Sequence, residues 1–219
     1  MPQVSERPLV VGLGRVELQF LGVVPRFPEG DGETEVDQIS IQIGGSGAVA
    51  VGTASQLGCQ GRFACKLAEE FAGSFILQAL NEAGIETRGV LASERNLSGL
   101  RFEVMDREFS RRVAYFSRGD VGDFEDGEID IDRLIDGARA VLVDGLLPRS
   151  QVKLAEAASE RGIPVIFDGT DFGDEVGELV ALADVLIASE RLASELARTD
   201  DLEQSLSLIH ISEPTRPVG

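Results

Sequence analysis

The amino-acid sequence predicts an α/β fold, in which a mostly parallel sheet is accompanied by a second, smaller β-layer. Short apolar runs alternate with stretches of helical spacing, which is the pattern of parallel βαβ units. The segment 98–117 instead alternates as two strands around a polar turn at 106–110, which predicts an antiparallel hairpin. The chain has 219 residues, enough for one sizeable core, so we predict one main domain.

The first half of the chain contains strands that lead into a glycine pair. The runs "PLVVGLG" and "RVELQFLGVVPRF" are both predicted to be strands. The segment "FPEGDGETEVDQISIQIGG" starts as a polar loop and then alternates into Gly44 and Gly45, which predicts a β-ribbon outside the main core. Helices are predicted over 48–57 and 70–83, with Gly84 as the stop of the second, and "CQGRFACKL" is predicted to be extended.

Three apolar runs in the second half, "ARAVLVDG", "GIPVIFDG" and "ADVLIAS", predict buried parallel strands, each followed by helical spacing. Ligands of open α/β sheets bind beyond the carboxyl ends of the strands. Asp144, Asp168 and Ser189 are therefore expected on the functional edge of the sheet. The alternative is that these residues cap the helices that follow, and the sequence leaves both roles open.

The composition excludes several classes of partner. The 38 acidic residues outnumber the 20 basic ones, and the formal charge of −18 repels the phosphates of nucleic acid and anionic lipid. No apolar run approaches the roughly 20 residues that span a bilayer, and the N-terminus does not read as a signal peptide, so we expect a cytoplasmic protein. Cys59 and Cys65 flank one predicted strand, too far apart for a disulfide, and are expected to be reduced.

The glycine pair closes a predicted strand and opens a predicted helix. Gly44 and Gly45 would present backbone N–H groups and a positive helix end to a polar small ligand. On this interpretation a Cβ at Gly45 would occupy ligand space. The alternative is a tight strand-to-helix junction without a ligand. The "GLG" at 12–14 is a weaker candidate for a dinucleotide site, because Glu17 replaces the third glycine and no helix follows.

The order of these features resembles the PfkB/ribokinase family of carbohydrate kinases. The resemblance extends from about residue 9 to about residue 197 and is carried by "VVGLG", "GGSGAVAVGTASQLG", "RFACKLAEEFAGSFILQALNEAGI" and "VALADVLIASERLASELA". It implies a doubly wound α/β domain with a small β-sheet lid, here roughly residues 15–43 and 98–118. It also implies transfer of the γ-phosphate of ATP, with Mg²⁺, to a hydroxyl of a sugar or nucleoside. The exposed strand edges of the lid suggest that it covers the site or forms a homodimer.

The resemblance assigns substrate-binding positions to Gly12, Gln19, Gly44, Gly45 and Val49. Gln19 and Val49 stand where the family has an aspartate and an asparagine, so two hydroxyl-binding groups are weakened or lost. The resemblance does not indicate which residues bind a metal.

Asp168, Ser189 and Glu190 are expected near the phosphate and Mg²⁺ by the same resemblance. The family's Asn-x-x-Glu motif reads "SERL" here, and Glu190 is its nearest carboxylate. Glu190 either replaces the missing glutamate or is an acid at a helix N-terminus.

Arginines are concentrated around the predicted hairpin. One interpretation is that these arginines bind phosphates. The other is that they form a solvated face with local ion pairs. The set comprises Arg101, Arg107, Arg111, Arg112 and Arg118.

The C-terminal segment "SLSLIHISEPTRPVG" departs abruptly from the acidic sequence before it. Codons that can encode 206–216 resemble a transposase adapter used to prepare sequencing libraries. We therefore expect 1–205 to be an incomplete ribokinase-like domain and 206–219 to be a non-native tail, in which His210 has no function. The family's Gly-Ala-Gly-Asp motif, with its anion hole and catalytic base, does not occur in the 219 residues. The expectation is a chain without phosphoryl transfer; the alternative is a non-catalytic ligand-binding or regulatory relative.

Overall fold

The larger of two sheets is entirely parallel. The computed structural model describes residues 7–94, 97–170, 174–199, 201 and 204. The six strands follow the order β10-β9-β8-β1-β4-β5, so the chain winds outward from β1 in both directions. The strands are β1 (Leu9–Leu13), β4 (Gln60–Ala68), β5 (Ile85–Ser93), β8 (Ala138–Val143), β9 (Val165–Gly169) and β10 (Val185–Ala188).

The smaller sheet, which we call the lid, has four strands in the order β3-β2-β6-β7. Its central pair, β2 and β6, is parallel, whereas both outer pairs are antiparallel. The strands are β2 (Glu17–Val24), β3 (Gln38–Gly44), β6 (Gly99–Asp106) and β7 (Arg112–Ser117). The predicted doubly wound sheet with a separate small β-layer is thereby confirmed.

Helices connect the parallel strands. They are α1 (Ser46–Gln56), α2 (Phe71–Glu82), α3 (Ile131–Leu134), α4 (Pro148–Glu160), α5 (Asp174–Leu182) and α6 (Glu190–Ala197). Within the described ranges no helix combines the length and apolar character needed to cross a bilayer.

The helix boundaries have local causes. The Glu70 carboxylate caps α2 by accepting hydrogen bonds from the amides of Ala72 and Gly73, at 2.7 and 2.8 Å. Its pKa is lowered although burial alone would raise it, because these amides favour the ionised form. Gly84, at φ +71°, ends the helix as predicted.

Two apolar clusters form the core. One contains β1, β8 and β9 with α4, including Val11, Val141 and Leu154. The other joins α1, α2 and β4 to the base of the lid and includes Phe63 and Leu18. Cys65 lies in this second cluster, where burial raises the pKa of its thiol to about 12, and both cysteines are free thiols.

The chain passes between the two sheets at residues 14–16, 44–46, 97–99 and 117–120, which we call the junction. Arg15 Nη1 donates a hydrogen bond of 2.8 Å to the Arg118 carbonyl. The Asp120 amide donates to the Leu97 carbonyl at 3.0 Å, and the Leu97 amide donates to the Asp120 carboxylate at 2.9 Å. These bonds hold separate crossings of the chain together.

Gly45 is required in the junction for a reason other than the predicted one. Its φ is +108°, and a Cβ there would overlap the carbonyl oxygen of Arg15. The expectation that this Cβ would occupy ligand space is therefore wrong, because its direction leads into the protein's own backbone. The alternative of a tight strand-to-helix junction describes the position correctly.

This geometry predicts that Gly45→Ala destabilises the fold more than Gly58→Ala. Both glycines have positive φ, +108° and +103°, but nothing lies within 4 Å of a Cβ at Gly58. The matched control incurs only the cost of a left-handed backbone, on the order of 1 kcal/mol. We expect Gly45→Ala to cost about 1–3 kcal/mol more, measured by urea denaturation. Equal losses in the two variants would contradict the close approach.

Candidate functional site

A cleft of about 830 Å³ separates the lid from the carboxyl edge of the large sheet. This volume lies in the range of small-molecule sites. One wall is the inner face of the lid, and the other is formed by residues that follow β1, β8 and β9. The cleft therefore lies beyond the carboxyl ends of parallel strands, where ligands of such sheets bind.

The inner lid face presents one cross-strand row of polar and aromatic side chains. The pairing register aligns Gln42, Gln19, Arg101 and Phe116 on four adjacent strands, and all four line the cleft. Side chains alternate between the faces of a strand, so the neighbouring residues face away from the cleft.

Ion pairs and hydrogen bonds hold this row in place. Glu17 accepts hydrogen bonds from Gln19 Nε2, at 2.8 Å, and from Arg101 Nε. The Arg101 guanidinium lies over the Phe116 ring, 5.2 Å from its centroid. The row offers amide and guanidinium donors to a ligand.

Asp144 follows β8 and is a buried carboxylate in the wall of the cleft. The residue is 6% exposed, and its Oδ1 accepts hydrogen bonds from Gln151 Nε2 at 2.7 Å and from the Leu146 amide at 3.0 Å. Its buried Oδ2 accepts no hydrogen bond of good geometry in the described part of the chain, although the Gly47 amide at the start of α1 is near enough to favour the ionised carboxylate. Burial raises the pKa of this carboxyl, and Gln151 with the Leu146 and Gly47 amides offsets only part of that effect.

Arg15 follows β1 and lies on the same side of the cleft. Its Nη1 is bonded to the Arg118 carbonyl, and its buried Nε has no partner among the residues described. Burial and the positive charge of Arg118 lower the pKa of Arg15. Our sequence analysis missed this residue. The sequence does contain a signal for it. Arg15 comes just after a predicted strand, which is the same kind of position that points to Asp144.

The substrate positions expected from the resemblance separate into two groups. Gln19 and Gly45 line the cleft, whereas Gly12, Gly44 and Val49 are not in its walls. Gly12 lies within β1, where a Cβ would overlap Phe63 and Val51 in the core. A Cβ at Gly44 would overlap the Gln19 side chain. Val49 is exposed on α1.

The expected phosphate-proximal residues lie at neighbouring strand ends. Asp168 lies in β9, near enough to Asp144 for its charge to raise the Asp144 pKa, and burial raises its own pKa. Ser189 caps α6, since its hydroxyl accepts from the Leu192 amide at 3.1 Å and donates to the Thr170 carbonyl at 2.9 Å. Glu190 is exposed in the first turn of α6. Capping, the alternative role, accounts for the contacts of Ser189.

The five arginines around the hairpin fall into two groups, according to whether they line the cleft. Arg101, Arg112 and Arg118 line the cleft. Arg107 and Arg111 instead form ion pairs with Asp37 and Asp106, at 3.3 and 2.9 Å. The solvated-face interpretation fits this second pair, and the ligand-facing interpretation fits the first three.

Among the described residues, no group of three or more His, Cys, Asp or Glu side chains is arranged to bind a metal ion. Mg²⁺ in kinase sites is usually held by one or two carboxylates together with the phosphates of the nucleotide.

The sequence matches a family of known proteins over most of its length. A profile described as pfkB family carbohydrate kinase matches residues 7–217. The chain belongs to the pfkB family. The match includes most of 206–219, and the expectation of a non-native tail concerns a segment that lies outside the described residues.

Solved structures share the pfkB-family fold. A candidate ribokinase from Agrobacterium tumefaciens is 22% identical with a TM-score of 0.85, and the match covers 94% of this chain and 67% of that one. An Arabidopsis thaliana ribokinase complexed with ribose and ATP is 20% identical with a TM-score of 0.74, covering 95% and 70%. A 2-dehydro-3-deoxygluconokinase from Thermotoga maritima is 20% identical with a TM-score of 0.73, covering 86% and 62%. The chain thus spans about two thirds of their lengths. Comparison with curated proteins found no match.

The buried carboxyl of Asp144 predicts an unusual pH dependence of stability. A raised carboxyl pKa stabilises the fold below the pKa of the unfolded chain, about 3.9, and this contribution is lost as the pH rises through the folded pKa. Asp144→Asn keeps the Oδ1 acceptor and removes the buried charge. At pH 8 we expect the free energy of unfolding of this variant to be no lower than that of the wild type, and higher by up to about 1 kcal/mol.

Asp126→Asn is the control with the opposite sign. Asp126 is exposed, and its hydrogen bond with Lys153 lowers the pKa of its carboxyl. That substitution should reduce stability at pH 8 and have no effect once the pH is below the folded pKa. Urea denaturation of both variants at pH 8 and at an acidic pH below the folded pKa of Asp126 measures the difference. A larger loss for Asp144→Asn at pH 8 than at the acidic pH would contradict the assignment.

Proposed function

We propose that the cleft binds the sugar or nucleoside of an ATP-dependent kinase reaction. The observation that carries this proposal is the pairing of Asp144 Oδ2, which lacks a hydrogen-bond donor in the described structure, with a facing row of donors on the lid. A hydroxyl group both donates and accepts hydrogen bonds, so a polyhydroxylated ligand satisfies both walls. Membership of the pfkB family supports this choice of ligand.

The chemistry of transfer requires groups beyond those that bind the acceptor. Phosphoryl transfer needs a base for the acceptor hydroxyl and donors for the transferred phosphate. The resemblance assigns both to a Gly-Ala-Gly-Asp run, which the 219 residues do not contain. We therefore propose that this chain binds sugar without catalysing its phosphorylation. ATP and Mg²⁺ remain the proposed co-substrate and metal, and the ATP of the Arabidopsis thaliana ribokinase complex supports the former.

A non-catalytic ligand-binding or regulatory relative is the second candidate. Two observations favour it. Gln19 replaces a carboxylate and is bonded to Glu17, and Ser189 serves as a helix cap. The two candidates predict the same binding by this chain and differ in whether relatives that contain the Gly-Ala-Gly-Asp run phosphorylate the bound compound.

Calorimetric titration with ribose, fructose, adenosine and 2-dehydro-3-deoxy-D-gluconate, with and without ATP and Mg²⁺, tests the proposed function. We expect saturable binding of at least one compound and no ADP formation in a coupled assay. Gln19→Leu removes the amide at the centre of the donor row and should weaken that binding about tenfold. ATP-dependent phosphorylation by the purified chain, or no binding of any compound, would contradict the proposal.

We also propose that the outer face of the lid joins two copies of this chain. Two cross-strand rows on this face are apolar, and Phe20 stacks on Phe102 at 5.0 Å between ring centroids. We propose that a second copy of this chain covers these rows. Each chain carries a formal charge of −18, and contact through uncharged rows brings no like charges together. The rows are Ile41, Phe20, Phe102 and Tyr115, and Ile39, Gly22, Val104 and Val113.

Adjacent aromatic residues on β7 provide a matched test of this interface. Tyr115 is 69% exposed on the outer face, and Phe116 is 57% exposed on the cleft face. Tyr115→Arg should convert a dimer to a monomer in sedimentation velocity, whereas Phe116→Arg should remain dimeric. A wild-type chain that stays monomeric at about 100 μM would contradict the proposal.

A further inference from the structure

The charges of the cleft identify the class of its ligand. We infer that the ligand is an anionic sugar, whose carboxylate or phosphate group lies against Arg15 and Arg118. This inference rests on the proposed function, in which the cleft binds a sugar, and it specifies which sugars are bound.

Four arginines line the cleft of a chain whose formal charge is −18. Two of them are neutralised by lid carboxylates. Arg101 pairs with Glu17, and Arg112 lies 3.6 Å from Glu103. These pairs leave Arg15 and Arg118 as the cations of the cleft without a carboxylate in direct contact.

Arg15 and Arg118 are adjacent, and like charges this close repel each other. The Arg15 guanidinium donates from Nη1 to the Arg118 carbonyl, and its Nε is buried without a partner in the described residues. The Arg118 side chain is exposed and forms no hydrogen bond or ion pair within the described ranges. An oxyanion between the two guanidiniums would relieve the repulsion and accept from both, and arginine is well suited to bind such groups.

The neighbouring carboxylates do not replace this anion. Asp123 contributes a favourable charge to Arg15, but its oxygens accept hydrogen bonds from Ser150 Oγ and from the amides of Arg149 and Ser150 at the start of α4. Asp144 and Glu17 are also near Arg15, yet burial of Asp144 disfavours its ionised form, and Glu17 already accepts hydrogen bonds from Gln19 and Arg101. A ligand that carries an oxyanion satisfies the arginines at short range.

The cleft also contains groups that can bind hydroxyl groups of a ligand. Asp144 Oδ2 lacks a donor, and Gln19 and Gln42 present amides from the lid. A sugar acid or a sugar phosphate combines both features in one molecule. A neutral sugar would leave the two guanidiniums without an oxyanion in direct contact.

The test compares anionic and neutral sugars on the wild-type chain and on one variant. The anionic probes are 2-dehydro-3-deoxy-D-gluconate, D-gluconate and D-fructose 6-phosphate, and the neutral probes are D-fructose and D-ribose. ATP alone, with and without Mg²⁺, shows whether the arginines bind nucleotide phosphates instead. Arg118→Gln is the informative substitution, because its exposed side chain makes no contact that the described fold needs.

Arg107→Gln is the matched control. Arg107 belongs to the same hairpin, but it pairs with Asp37 and does not line the cleft. We expect at least one anionic probe to bind about tenfold or more tightly than the neutral ones. Arg118→Gln should remove most of this preference, and Arg107→Gln should retain it. Comparison of the two acids with the phosphate ester identifies the source of the oxyanion.

Each other outcome overturns the inference in a distinguishable way. Equal binding of neutral and anionic sugars, unchanged in Arg118→Gln, would leave the sugar-binding function intact and refute the anionic ligand. Arg118-dependent binding of ATP without binding of the anionic sugars would assign the arginines to the nucleotide. Absence of binding by all sugars would refute the proposed function together with the inference.

Discussion

The contact of the Gly45 backbone with the Arg15 carbonyl is the constraint on which the cleft depends. At this point the chain entering β2 and the chain leaving β3 pass each other between the two sheets, and a side chain on Gly45 would force them apart. The Arg15 side chain extends the contact to Arg118, where β7 has just ended. The crossings at Leu97 and Asp120 are tied by reciprocal hydrogen bonds. The lid is therefore held by backbone packing at its base.

This junction also explains why the same residues hold the fold together and line the cleft. Arg15 holds the lid through its Nη1 and is also one of the residues that line the cleft. Asp144 has a similar double role, because Gln151 fixes its Oδ1 and also donates to the Leu13 carbonyl at the end of β1. The walls of the cleft are thus attached to the ends of β1 and β8, and a ligand would bind between parts that are already in position.

Sequence patterns predicted the strands and helices that have strong local signals. The alternation in β2 and β3, the polar turn after β6 and the stop at Gly84 all lie where they were expected. Strand β5 was missed, because its half-buried segment "IETRGVLAS" lacks a continuous apolar run. The parallel pairing of β2 with β6 was also beyond prediction, since it joins residues about 80 positions apart. This register decides that Arg101 lines the cleft and that Arg111 does not. No local sequence pattern contains that information.

A crystal structure of the chain with its tightest-binding anionic sugar would locate the ligand. We expect the ligand in the cleft, with its carboxylate or phosphate oxygens about 3 Å from the guanidinium nitrogens of Arg15 and Arg118. We also expect sugar hydroxyls toward Asp144 and the Gln19 row of the lid. A ligand bound outside the cleft, or one whose oxyanion faces away from both arginines, would contradict this expectation.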